Sequence, residues 1–133
     1  VSALAWHWKR QPMKILVVDD SAATRFILCK MMKELGHQAI DACDGRKALA
    51  ELQSNKDVSL VLVDWNMPEL NGLDLVQAVS QDPSYHSLKL VMITTETEMT
   101  QVVRAIEAGA NEYIMKPFTK EMIVDKFKII GIV

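Results

Sequence analysis

Three aspartates, a threonine and a lysine pose the chemical question in this sequence. Asp19-Asp20 follow Ile15-Leu16-Val17-Val18, Asp64 follows Leu60-Val61-Leu62-Val63, Thr94-Thr95 follow Val91-Met92-Ile93, and Lys116-Pro117 follow Tyr113-Ile114-Met115. Each therefore stands where a short apolar run ends. Three carboxylates brought together repel and raise one another's pKa, so they stay ionised only with a cation among them. Mg²⁺ suits such a set: it takes oxygen ligands, keeps several waters and is typically held by one or two carboxylates beside a phosphate group. Asp20, Asp64 and a backbone carbonyl just after Asp64 would supply half of its shell. The open positions then fall where a phosphoryl group is transferred. Asp64, ending the most apolar run, is the natural nucleophile, and Lys116 and Thr94 are suited to stabilising the equatorial oxygens. Taken singly, a terminal aspartate is more often a cap, a threonine structural and a lysine solvated. Their joint occurrence at four run ends reverses those odds.

What must position these groups is a parallel sheet. From Met13 onward the chain alternates β-rich runs, Lys14–Asp19, Gln38–Ala42, Leu60–Asp64, Lys89–Thr94 and Glu112–Met115, with segments of helical period, the pattern of a sheet covered on both faces. The first, third and fourth runs are richest in β-branched residues and are expected to be central. In such sheets the ligand site lies at the carboxyl ends of the strands. Ser21 and Gly36 bracket a helix over about Ser21 to Leu35 with Leu28, Met31, Met32 and Leu35 inward. Asp44 caps a second carrying Ala48, Leu49 and Leu52. Asn71-Gly72 opens a third with Leu75, Val76 and Val79. The fourth runs from near Thr97 to Ala108, with Met99, Val102, Val103 and Ile106 at helical spacing and Gly109 ending it. Thr119 caps the fifth, which buries Ile123, Phe127 and Ile130.

With 133 residues, half of them hydrophobic, the chain has the material for one domain with a real core. A formal net charge of −2 provides no broad basic field for nucleic acid or anionic lipid. No apolar run approaches the roughly 20 residues of a membrane span. Cys29 and Cys43 lack metal-ligand spacing and read as reduced packing residues, which favours the cytoplasm. The eight methionines read as core filler. His7, His37 and His86 share no run end with the aspartates and read as surface residues. Trp65 reads as a partly exposed loop aromatic. Residues 1–12 carry their apolar residues before Lys9-Arg10, the reverse of a secretory signal, and are set aside as a leader, an appended, non-native segment or a native arm, leaving 13–133 as the domain.

The segments Ile15-Leu16-Val17-Val18-Asp19-Asp20-Ser21, Asp64-Trp65-Asn66-Met67-Pro68 with Asn71-Gly72, Met92-Ile93-Thr94 and Tyr113-Ile114-Met115-Lys116-Pro117-Phe118 resemble the CheY-type receiver domains of two-component response regulators. Separations of 44, 30 and 22 residues along Asp20, Asp64, Thr94 and Lys116 agree with that family. The resemblance implies a flavodoxin-like, doubly wound five-stranded parallel sheet of order 2-1-3-4-5 with five helices. It implies phosphorylation of Asp64 by a sensor histidine kinase or phosphotransfer protein, and Mg²⁺ held by Asp20, Asp64 and the Asn66 carbonyl, with Asp19 completing the shell through water. It also implies a switch pair of Thr94 and Tyr113, Lys116 on the phosphoryl group beside a cis bond to Pro117, and tuning of the phosphoryl lifetime by Asn66 and Glu96. Thr95 departs from the smaller residue common in relatives and would narrow access to the site. Output is expected through the face of the fourth helix, fifth strand and fifth helix, where Val102, Ile106, Tyr113, Met115 and Lys126 would meet a downstream protein or a second copy. The chain would then be a switch that catalyses only its own phosphotransfer and dephosphorylation, standing alone or as the receiver part of a longer regulator.

Other readings fare worse. A haloacid-dehalogenase-type phosphatase needs a second aspartate two residues after the nucleophile, where Asn66 stands. A flavodoxin-like electron carrier needs a phosphate loop after the first strand, where Asp19-Asp20 would repel FMN. A receiver fold that had lost phosphorylation would lack one of the aspartates or the lysine.

Overall fold

The computed structural model describes residues 12–65, 72–95 and 99–131. The β-rich runs form five parallel strands: β1 (Lys14–Val18), β2 (Gln38–Ala42), β3 (Val58–Asp64), β4 (Lys89–Thr94) and β5 (Glu112–Met115). Their spatial order is β2-β1-β3-β4-β5. Helices α1 (Ala22–Glu34), α2 (Gly45–Ser54), α3 (Gly72–Ser80), α4 (Met99–Ala108) and α5 (Lys120–Ile129) alternate with them, and a short 3₁₀ turn at Pro83–Tyr85 precedes β4. This is the doubly wound, flavodoxin-like sheet that the resemblance implies.

The strands expected to be central, β1, β3 and β4, are interior and almost wholly buried, whereas the edge strands β2 and β5 are only partly covered. Because successive strand residues point to opposite faces, the apolar runs feed two cores. Leu16, Val18, Val61, Val63 and Met92 pack with Leu52, Leu75 and Val76 from α2 and α3 and Ala105 from α4. Ile15, Val17, Leu60, Leu62, Ile93 and Ile114 pack with Leu28 and Met32 from α1 and Ile123 and Phe127 from α5. Each such side chain, fully buried, contributes about 1.5–3 kcal/mol.

Helix starts follow the side chains that accept orphan amides. Ser21, Asp44 and Thr119 accept from the amides of Thr24, Lys47 and Met122. At the far ends, Gly36 (φ +94°) and Gly109 (φ +130°) adopt the left-handed conformation that glycine reaches without a Cβ penalty.

Three expectations need correction. His37 is buried, because its ring nitrogen Nδ1 accepts the Met13 amide at 3.1 Å and its edge packs on Phe127. Trp65 is also buried, joining the core beneath α2 and α3. On α4, Val102 turns inward with Ala105, so Val102 cannot serve an exposed partner face, while Val103 is 54% exposed and Ile106 39%. The small Ala105 sets this rotation by letting that side of α4 approach the core. Thr97, the expected start of α4, lies outside the described residues, as do residues 1–11.

Candidate functional site

The sheet ladder runs one residue past β1, with the Asp19 amide donating to the Ala42 carbonyl at 3.2 Å. The chain then turns into α1, and the Ser21 amide donates to Asp19 Oδ1 at 2.8 Å. Asp19 is thus folded back towards the sheet and buried, while Asp20 faces solvent. Asp64, the last residue of β3, is buried beside them. Carboxylate oxygens of Asp19, Asp20 and Asp64 all lie within 4.8 Å of one another.

Opposite them, Lys116 follows β5, held in register by its amide bond to the Thr94 carbonyl at 2.7 Å. Its ammonium donates to Asp64 Oδ1 at 3.2 Å, and its peptide bond to Pro117 is cis. Thr94, fully buried, donates its hydroxyl to the Thr95 carbonyl at 3.3 Å. Tyr113 is half-buried on β5, packed against the core on the α4 side.

One ammonium does not balance three carboxylates. Burial, then the charge of Asp19, pushes the Asp64 carboxyl up to about 6, against the pull of Lys116. Burial also raises Asp19, opposed by the Ser21 amide and Lys116. Asp19 Oδ2 is buried without a hydrogen-bond partner among the described residues, an arrangement that costs free energy unless something cationic meets it. An all-oxygen donor set, an orphaned oxygen and surplus negative charge fit a hard divalent cation.

The structure therefore brings together Asp19, Asp20, Asp64 and Lys116, with Thr94 at the adjoining strand end. Asn66 and Glu96 lie outside the described residues, and Thr95 is half-buried just past β4. Two contributors go beyond the sequence reading. The Gly72 amide donates to the Trp65 carbonyl at 3.1 Å, and a Cβ built on Gly72 would lie 2.9 Å from the Asp64 carbonyl oxygen, so α3 abuts the backbone that carries Asp64. Arg25, one turn into α1, donates from Nη1 to the Asp19 carbonyl at 2.8 Å and from Nε to Asp41 Oδ2 at 2.9 Å. An arginine at that position carries no motif by which sequence alone would single it out. A cleft of about 280 Å³ on the flank, lined in part by Arg25, Asp41, Cys43 and Lys47, contains none of the cluster carboxylates.

Comparison with known proteins agrees with this geometry. The model of the response regulator receiver domain matches residues 15–128. The chain is 41% identical over 119 residues to the chemotaxis protein CheY1 of Helicobacter pylori, covering 89% of this chain and 96% of the relative. It is 42% identical over 117 residues to the chemotaxis protein CheY homolog of Campylobacter jejuni, covering 87% and 90%. Among solved structures, Vibrio cholerae chemotaxis protein CheY4 superposes with a TM-score of 0.82 at 30% identity, covering 90% of this chain and 99% of that one. A putative two-component system response regulator/GGDEF domain protein superposes at 0.85 with 29% identity, over 92% of this chain and 50% of that one.

Proposed function

Because this chain belongs to the response regulator receiver domain family and is of the CheY type, we propose that its phosphorylation switch is built on Asp64, with phosphoryl groups taken from a sensor histidine kinase or phosphotransfer protein. The observation that carries the assignment is Asp64 itself. It is buried at a strand end, 3.2 Å from the Lys116 ammonium and within a cluster of carboxylates that includes an orphaned oxygen.

An Asp64 oxygen attacks the phosphorus of the donor's phosphohistidine. The new P–O bond forms as the P–N bond breaks, and the electron pair leaves with the imidazole nitrogen. Lys116 meets the charge on the transferred oxygens, a role in which a fixed ammonium in a partly buried site is effective. The Thr94 hydroxyl exchanges its bond to the Thr95 carbonyl for one to a phosphoryl oxygen. Asp19, Asp20, Asp64 and the Asn66 carbonyl would hold Mg²⁺, which would neutralise the cluster and supply Lewis-acid stabilisation of charge on the phosphoryl group. Attack by water on the aspartyl phosphate returns the Asp64 carboxylate and inorganic phosphate, so the chain turns over only its own modification. Thr95, with Asn66 and Glu96 two residues beyond Asp64 and Thr94 in the sequence, would tune that lifetime.

Movement of Thr94 vacates space that the Tyr113 ring enters, altering the face of α4, β5 and α5. Val103, Ile106, Tyr113, Met115 and Lys126 give that face a mixed apolar and basic character suited to a downstream protein or a second copy. A cytoplasmic location follows from such partners, and no helix among the described residues is long and apolar enough to cross a membrane. The test is labelling with radioactive acetyl phosphate or a cognate kinase. Wild type takes up label on Asp64 and Asp64→Asn takes up none. Undiminished labelling of Asp64→Asn would defeat the assignment.

A further inference from the structure

We infer that Arg25 is a positioning residue for the cation site: from outside the cluster, its guanidinium fixes the peptide between Asp19 and Asp20 and so sets the reach of both carboxylates. The inference rests on the reading of the cluster as a cation site. A rung is missing from the sheet just here. The bond from the Asp19 amide to the Ala42 carbonyl is the last between these strands, after which the chain leaves β2 for Cys43 and the α2 cap at Asp44. The Asp19 carbonyl therefore has no strand donor facing it. Arg25 Nη1 takes that place at 2.8 Å.

The other edge of the same guanidinium is anchored by Asp41 at 2.9 Å, and the Arg25 amide is tied to the Ser21 carbonyl at 3.0 Å in the first turn of α1. One rigid planar group thus joins the end of β1, α1 and the edge strand β2, a two-point task that an arginine fork performs and a lysine does not. Since the peptide unit is planar, holding the Asp19 oxygen also holds the Asp20 amide and Cα. With Asp19 Oδ1 fixed by Ser21, the Asp19–Asp20 pair is restrained on both sides of the shared peptide.

Geometry, not charge, carries the effect. The guanidinium bonds the Asp19 backbone carbonyl and the Asp41 carboxylate rather than a carboxylate of the cluster. The ion pair with Asp41 is a surface one, with side-chain exposures of 19% and 52%, and such pairs add little to stability. Loss of Arg25 should accordingly show in the cation site more than in the melting temperature.

Isothermal titration of the full chain with MgCl₂ tests this, alongside melting and amide NMR spectra in EDTA. Arg25→Ala is expected to weaken Mg²⁺ binding roughly tenfold, as loss of an outer-shell support does. Arg25→Lys should weaken it nearly as much despite its retained charge, and Asp41→Ala by less. Lys120→Ala, which removes the exposed pair with Glu34, should leave affinity unchanged. In EDTA the Asp20 and Ser21 amide resonances should move in Arg25→Ala, with melting lowered no more than in Lys120→Ala. If Arg25→Ala binds Mg²⁺ like wild type while Asp20→Ala does not, the positioning role is wrong and the cation reading stands. Full recovery by Arg25→Lys would likewise overturn it in favour of simple charge. If Asp20→Ala also binds like wild type, or wild type takes up no Mg²⁺, the cation reading fails and the inference falls with it.

Discussion

The Lys126 ammonium lies over the face of the Tyr113 ring, 4.6 Å from its centroid, while pairing with Glu112 at 3.3 Å. Glu112 in turn accepts the Tyr113 amide at 2.9 Å. The ring of the proposed switch tyrosine is thus held by its sequence neighbour and by α5 together. A cation over a partly exposed ring is worth about 0.5–1 kcal/mol, enough to shift a rotamer population severalfold. Lys126→Gln should loosen the ring, seen as altered relaxation of ¹³C-labelled Tyr113. It should also reduce the spectral difference between the apo and beryllofluoride forms around Tyr113 and α4. An unchanged ring signal would show that the cation exerts no hold.

Asp64→Asn should stabilise the metal-free protein even as it removes the phosphoryl acceptor. The folded-state pKa of Asp64, about 6, lies above its ordinary 3.8, so the folded chain binds the proton more tightly and loses stability as pH rises from about 4 to about 6. Above that window the ionised group costs roughly 1–3 kcal/mol, which Asn avoids. Urea unfolding in EDTA at pH 7.5 should show the gain, and at pH 4 it should shrink towards zero.

Gly72→Ala should damage the site through the backbone. The added methyl would meet the Asp64 carbonyl oxygen at 2.9 Å and Trp65 Cα at 3.0 Å, and relieving such overpacking costs about 1–3 kcal/mol. Because the atoms that must yield carry Asp64, Mg²⁺ affinity should fall along with the melting temperature. A variant destabilised with Mg²⁺ affinity intact would mean that α3 moves and β3 does not.

His37 provides a pH dependence remote from the acidic cluster. Burial lowers its folded pKa below the usual 6.5, and Nδ1 must stay unprotonated to accept the Met13 amide. The unfolded chain therefore protonates first, and the stability that the neutral ring provides is lost as pH falls below about 6.5, by at most about 1.4 kcal/mol per pH unit. His37→Gln keeps an acceptor that does not titrate. Its denaturation midpoint should vary less than that of wild type between pH 6.5 and 5.

Strand identities and the residues at their ends were legible because apolar β-branched runs and helical stripes repeat with clean periods, and because a parallel sheet collects its strand termini at one edge. The strand order was legible only through the resemblance of the strand-end motifs to receiver domains. The caps at Ser21, Asp44 and Thr119 were legible for the same local reason. What stayed hidden depends on contacts between distant segments. His37 looks like a surface residue until Met13 and Phe127 are placed against it. Arg25 looks solvated until β2 ends one rung short of Asp19. The rotation of α4 that buries Val102 and exposes Val103 depends on how closely Ala105 approaches the sheet, and spacing along a helix does not report that distance.

The division of the apolar residues between the two faces of the sheet has a consequence for how this chain tolerates change. Neighbouring residues of one strand, such as Met92 and Ile93, belong to different cores, and the backbone between them is pinned by strands on both sides. Substitutions at Leu52 and at Phe127 fall in separate cores, so their costs should add without coupling. A lineage can therefore remodel the packing under α2 and α3 while that under α1 and α5 stays as it is. Strand-end chemistry at Asp64 and Lys116 is inherited whole through either course of drift.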